Sequence, residues 1–249
     1  MTRRLGQRRL AVLASVYLAF ALQAAAADLP LLPGIGSADR RIAVDPTERP
    51  WNAIAKVQTN IGTRCTGALI APDTVLTAAH CLYNRRTRAM LQAGSLHVLF
   101  GYERGAYRWH RTVTRYTVGA GFEGGAARPQ ASDWARLQLS EPIPASVAPL
   151  PVVAAIPPPG TPIALPGYNQ DRAQILMADV SCRVLGNTEL LGQPFLAHDC
   201  AATRGTSGGP LLFDRSGGWA VIGLNIGAGR ASNVALPATA FASATSAGS

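Results

Sequence analysis

Short, largely apolar runs rich in β-forming residues recur along most of the chain, each broken within a few positions by Gly, Pro, Asp or Asn. The clearest cover 53–58, 68–71, 75–77, 97–100, 111–118, 134–139, 163–165, 180–184, 210–213 and 219–226. Strands this short, divided by turn residues rather than by helical stretches, predict an all-β sandwich or barrel with few helices. Between Ser140 and Pro162 the pattern lapses into proline and alanine, with eight prolines from Pro142 to Pro162. A stiff, extended segment near the middle of the chain reads as a linker between two half-barrels.

Two end segments stand outside this pattern. Arg3, Arg4, Arg8 and Arg9 precede an apolar run from Leu10 to Leu22 and then small residues, the layout of a secretory signal peptide. An Ala-x-Ala site fits cleavage after Ala26 or Ala27; Ala27 is favoured, which makes 1–27 the signal and Asp28 the first mature residue. The apolar run is shorter than the ~20 residues of a spanning helix. From 28 to 41 the chain is rich in Pro and Gly, suiting a propeptide or an extended N-terminal arm. The domain proper then runs from 42 to 249, with a small-residue tail after Ala238 that is expected to fray.

With 249 residues, 48% of them hydrophobic and 15% charged, the chain has enough apolar material for a substantial core. Loss of the four signal arginines takes the formal charge from +9 to +5. The remaining arginines are scattered, and the densest run, Arg85, Arg86 and Arg88, lies beside no aromatic ladder, so a solvated loop is expected and nucleic acid is not an expected partner. Four cysteines in an exported chain favour two disulfides, and no C-x-x-C spacing suggests zinc.

Three separated segments carry chemistry. Leu76-Thr77-Ala78-Ala79-His80-Cys81 delivers a histidine at the end of an apolar strand, and Ser132-Asp133-Trp134-Ala135 places an aspartate at the mouth of another. Arg204-Gly205-Thr206-Ser207-Gly208-Gly209-Pro210 sets a serine among glycines. Amide hydrolysis needs an activated hydroxyl, a base near neutrality and donors for the developing oxyanion. Glycine neighbours allow the sharp turn on which the N–H groups of Gly205 and Ser207 converge. Taken singly, each segment has a structural alternative: a glycine loop, a histidine beside a disulfide, a turn-forming aspartate.

Together, in the order His, Asp, Ser, these blocks resemble the chymotrypsin/trypsin-like serine protease superfamily over about Ile42 to Val234. Among its branches the chain is most similar to bacterial secreted trypsin-like and glutamyl-endopeptidase-like enzymes, through 41–51, the Cys182 to Cys200 spacing and the short C-terminus. The resemblance implies two six-stranded Greek-key β-barrels with the active site in the cleft between them, His80 and Asp133 on the first and Ser207 on the second. It implies a triad of Ser207 as nucleophile, His80 as base and Asp133 as orienter, working through an acyl-enzyme, with Gly205 and Ser207 as oxyanion donors. Pairing Cys65 with Cys81 would fix the loop carrying His80, and pairing Cys182 with Cys200 would brace the approach to Ser207.

The same likeness puts Ala201, Ala202 and Thr203 at the base and wall of the specificity pocket, with Asn225 and Gly227 opposite. No acidic side chain stands there to receive Lys or Arg, so an uncharged residue before the cleaved bond is expected, although Arg204 at the rim would favour acidic ones. Glutamyl endopeptidases carry a histidine at the position of Asn225, a departure in this chain. His97 and His110 read as surface or structural, shaping the pocket beside the disulfide is the minor alternative for His198, and Asp171 with Arg172 reads as an ion pair. Many animal relatives pair a freed N-terminal isoleucine with an aspartate just before the serine; here that residue is Thr206, so the pair cannot form. Trimming at Arg40-Arg41-Ile42 is therefore expected to leave turnover unchanged.

The expectation is a secreted or periplasmic monomeric endopeptidase acting on proteins or peptides, without cofactor, metal, nucleic acid or stable membrane insertion. A catalytically silent binding module or an acyl-ester hydrolase on the same fold are the alternatives.

Overall fold

The computed structural model describes residues 32–242 apart from 191, 217, 230 and 231; the expected signal segment 1–27 and most of the C-terminal tail lie outside the described residues. Fifteen strands occur in chain order: β1 Ile42–Ala43, β2 Ile54–Thr59, β3 Arg64–Ala71, β4 Thr74–Thr77, β5 Tyr83–Asn84, β6 Ala89–Met90, β7 Leu96–Phe100, β8 Trp109–Val118, β9 Ala135–Leu139, β10 Pro162–Gly167, β11 Met177–Leu190, β12 Gln193–His198, β13 Pro210–Arg215, β14 Gly218–Gly227 and β15 Asn233–Pro237. Helical structure among the described residues is confined to five short 3₁₀ turns.

Strands β2, β3, β4, β9, β8 and β7 close a six-stranded barrel. In β9 the alternation Ala135, Leu137, Leu139 inward and Arg136, Gln138 half-exposed follows the two-residue period of a strand with one buried face. Ile54, Leu69, Val75, Leu76, Leu96, Val98, Phe100 and Leu137 fill its interior.

The second half is built as β1-β11-β10-β13-β14-β15-β12, and β12 pairs back onto β11, so six of these strands complete a ring to which β1 is appended. The long strand β11 makes this closure. Its first half pairs with β10 through Ile163↔Cys182 and its second half with β12 through Asn187↔Leu196, with a register shift near Gly186 where it bends between partners. Ile163, Leu165, Val184, Leu196, Leu211 and Ile222 form its core.

The proline-rich connection is anchored at both ends. Ile143 and Leu150 are buried, and their N–H groups donate to Pro72 O and Leu69 O in the first barrel, while Val153 N–H donates to Val221 O in the second. Buried backbone groups need such partners, which makes the linker a strap. Residues 32–41 also pack: Ile35 is buried and the Gly34 carbonyl accepts from Ala202 N–H and Asn233 Nδ2, so this stretch is an arm laid on the second barrel.

Candidate active site

The apolar strand β4 ends at Thr77, and the chain turns through the 3₁₀ segment Ala79–Leu82, which presents His80. Asp133 stands two residues before β9, whose pairing with β4 (Thr77↔Ala135) brings the two side chains together. The Asp133 carboxylate, buried, accepts from the His80 backbone N–H at 2.8 Å and from His80 Nδ1 at 2.7 Å. Both oxygens thus face one residue, which sets the ring's orientation and places its proton on Nδ1. His80 Nε2 has no partner among the described residues.

Ser207 lies in the loop between β12 and β13. Its carbonyl accepts from Thr66 N–H at 2.9 Å, Gly209 N–H donates to Thr206 O, and Gly208 N–H donates to Asn225 O. The turn requires glycine. Gly208 has φ +79°, and a β-carbon there would lie 2.3 Å from Thr66 O and 2.8 Å from Ala78 N, so the serine loop is seated directly on the strand ends that deliver His80. Gly205 has φ +95°, and its β-carbon would meet Tyr168 O at 2.2 Å. Among the described residues neither the Gly205 nor the Ser207 N–H donates to another protein group. The Thr66 hydroxyl, in contrast, donates to Gly205 O at 2.8 Å.

A cleft of about 370 Å³ runs past His80 and Asp133 and is bounded across the way by Ile226, Gly227 and Ala228 at the end of β14. Of the residues expected at the specificity pocket, Ala201, Ala202, Thr203 and Asn225 are buried and Gly227 half-buried. The Thr203 hydroxyl bonds to Asp171 and Asn169. Behind Asn225 stands His198, wholly buried: its Nε2 bonds Asn225 Oδ1 at 3.1 Å, while its Nδ1 has no partner. Burial pushes its pKa down to about 4, so at neutral pH the imidazole is uncharged.

Cys65 is bonded to Cys81 and Cys182 to Cys200. The first pair flanks His80, and these two sulfurs and the ring form a cluster tight enough for a metal. Disulfide sulfurs are not thiolates, however, and the donor set is wrong for zinc. His97 and His110 bond each other at 2.9 Å on the far strands β7 and β8, away from the cleft.

Asp171 and Arg172 do pair, but only at the outer limit of contact, because each has a closer partner. Asp171 holds Arg41 at 2.7 and 2.9 Å, leaving Arg172 Nε only at 4.0 Å, and Arg172 instead reaches Asp39. Two further residues at the serine loop carried no motif: Thr66 and Asn169, whose Oδ1 accepts from Thr203 N–H and the Thr206 hydroxyl, both at 2.9 Å. Each acts across a long sequence separation, so no local spacing marks it.

Two facing barrels, with a histidine–aspartate couple on one and a glycine-turned serine on the other, define the chymotrypsin-type class of serine peptidases. The chain belongs to the trypsin family, whose pattern it matches over residues 41–245. Over 110 residues it is 36% identical to the glutamyl endopeptidase of Bacillus licheniformis, an alignment covering 44% of this chain and 33% of that protein. It thus spans about a third of that relative's length. A solved Glu endopeptidase in complex with MPD shares the fold, with a TM-score of 0.72 over 85% of this chain and 97% of the other at 23% identity.

Proposed function

We propose that the chain is a secreted serine endopeptidase that cleaves peptide bonds through an acyl-enzyme on Ser207. The observation that carries this reading is the double attachment of His80 to the buried Asp133. With the ring proton held on Nδ1, the Nε2 lone pair is available to take the Ser207 proton during attack on the scissile carbonyl. The resulting imidazolium, stabilised by the Asp133 carboxylate, returns that proton to the leaving amine, and water repeats the sequence on the ester. The unpaired N–H groups of Gly205 and Ser207 supply the donors that the tetrahedral oxyanion needs. No step calls for a cofactor.

Export rests on the leader-like first 27 residues and on two disulfides, which persist in oxidising compartments. Among the described residues no helix is long and apolar enough to cross a membrane.

For the residue before the cleaved bond, the pocket argues for an uncharged side chain. Ala201, Ala202, Asn225 and Gly227 offer no charge. The two carboxylates that touch the wall are already committed: Asp179, buried, to Arg40 at 3.0 Å and to the Ala201 N–H at 2.8 Å, and Asp171 to Arg41 and the Thr203 hydroxyl. A lysine or arginine would be desolvated there without a counter-ion. The relative's name assigns it glutamyl cleavage, but His198 is neutral and screened by Asn225, so this pocket lacks a fixed cation for a carboxylate.

Labelling of the wild-type chain by a fluorophosphonate probe, absent in Ser207→Ala, tests the nucleophile. Digestion of a peptide library then separates peptidase from ester hydrolase. Dominant cleavage after Lys or Arg would reject the pocket assignment.

A further inference from the structure

Arg41 is a buried cation that the chemistry above does not use. Its guanidinium forks onto Asp171 (Nη1 to Oδ1 2.9 Å, Nη2 to Oδ2 2.7 Å) and onto Asp39 (Nε to Oδ1 2.8 Å, Nη2 to Oδ2 2.9 Å). Burial opposes the charge, yet the hydrogen bonds to Asp39 and Asp171 outweigh it and hold the guanidinium protonated. In return Arg41, and secondarily the Thr203 hydroxyl, hold the Asp171 carboxyl down at about 2. Bidentate pairs of this kind fix orientation as well as charge.

From Asp171 the contacts lead straight to the serine loop. Asp171 Oδ1 accepts from the Thr203 hydroxyl at 3.0 Å, its neighbour Gln170 donates its N–H to Arg204 O, and Asn169 takes Thr203 N–H and the Thr206 hydroxyl. Residues 169–171 therefore grip 203, 204 and 206, on both sides of Gly205. What anchors 169–171 to the rest of the fold on its outer side is Arg41.

We propose that Arg41 is a positioning residue for the oxyanion donors: its fork on Asp171 sets the 169–171 clamp, and the clamp aims the N–H groups of Gly205 and Ser207. It touches no substrate. The neutral Thr206 does not take a cation; the ion pair is displaced one layer outward and reaches the loop through Thr203 and Asn169. The arm is therefore part of the working enzyme. Arg41 is only 6% exposed, so in the folded protein its side chain is not free to enter the pocket of a processing protease.

This inference rests on Ser207 being the nucleophile, and the test keeps the two apart. Inactivation of the full chain by a fluorophosphonate is followed to saturation, separating the binding constant from the maximal rate, alongside thermal unfolding. Misaiming a donor by about 1 Å should lower the maximal rate about 10²-fold in Arg41→Met, with the binding constant changed less than about twofold. Arg41→Lys should keep part of the rate. Asp171→Asn should match Arg41→Met, and the double variant should be no slower than either.

Thr203→Val, which removes the link without touching the ion pair, should fall similarly and guards against an Arg41→Met chain that does not fold. An unchanged maximal rate in Arg41→Met or Thr203→Val, losses that multiply in the double variant, or a loss confined to binding would overturn the proposal. If the wild-type chain is not labelled at Ser207 at all, it is the reading of the nucleophile that fails, and this one falls with it.

Discussion

Thr77 Oγ1 occupies the space that a side chain on Gly208 would need: a β-carbon there would come within 2.2 Å of it. That hydroxyl is itself committed, donating to Thr66 O at 2.7 Å. The serine turn and the histidine strand thus meet backbone to backbone. Gly208→Ala combines this clash with an unfavourable φ of +79°, and should destabilise the chain by about 2–4 kcal/mol while cutting Ser207 labelling at least tenfold. Thermal unfolding and active-site titration read the two effects separately.

Asp133→Asn keeps the shape of the side chain but offers an amide N–H where His80 needs an acceptor. The ring then favours the tautomer with its proton on Nε2, which cannot accept from Ser207. Turnover on a peptide substrate is expected to fall about 10⁴-fold with little change in unfolding temperature. Retention of more than a tenth of the activity would show that His80 is oriented by something else.

His198 sets an acid limit on stability. The unfolded chain takes up this proton near pH 6.5, whereas the folded chain resists it down to about pH 4 because of burial. Stability is therefore full above pH 6.5, declines as pH falls towards 4 and levels off below, a loss on the order of 3 kcal/mol. In His198→Gln, which keeps an N–H for Asn225, that share of the decline should vanish. Urea unfolding at pH 7 and pH 4.5 gives the comparison, and equal declines in both chains would refute the assignment.

Thr66 joins the barrels through three bonds: its N–H to Ser207 O, its hydroxyl to Gly205 O, and Tyr168 N–H to its hydroxyl. Thr66→Val keeps the volume but orphans a carbonyl and an N–H in a dry setting. The expected cost is about 2–3 kcal/mol, with slower acylation because Gly205 loses a restraint. A stability change under 0.5 kcal/mol would mean that water replaces the hydroxyl.

Much of this was legible in the chain itself. Ten runs read as strands each fall on an observed strand, because their apolar residues face closed interiors. Five strands were not read, and three of them, β1, β5 and β6, are two-residue pairings too short to leave a pattern. In β12, Gln193-Pro-Phe-Leu-Ala-His, Pro194 argues against a ladder position, and β15, Asn233–Pro237, is short and ends on proline; both are held by pairing with each other and with neighbours. The bonded couple of His80 and Asp133 sits where the motif blocks are found. The support under the serine loop was hidden, since Asn169, Thr66 and Arg41 are ordinary residues until folding gives them partners. The arm illustrates the point best. Arg40-Arg41-Ile42 looks like an exposed processing site, and only the buried fork on Asp171 and Asp39 shows that it is a structural joint.

The Gly34 carbonyl and the Asn233 amide, 199 positions apart, share a hydrogen bond. A chain made from its amino end delivers Gly34 early and Asn233 only 199 positions later. The arm must wait, undocked, until the last strands of the second barrel are available, and contacts of such long separation form slowly. Assembly of the serine loop's supports is thereby a late step of folding, a delay written into the connectivity: the site cannot be complete before the second barrel is.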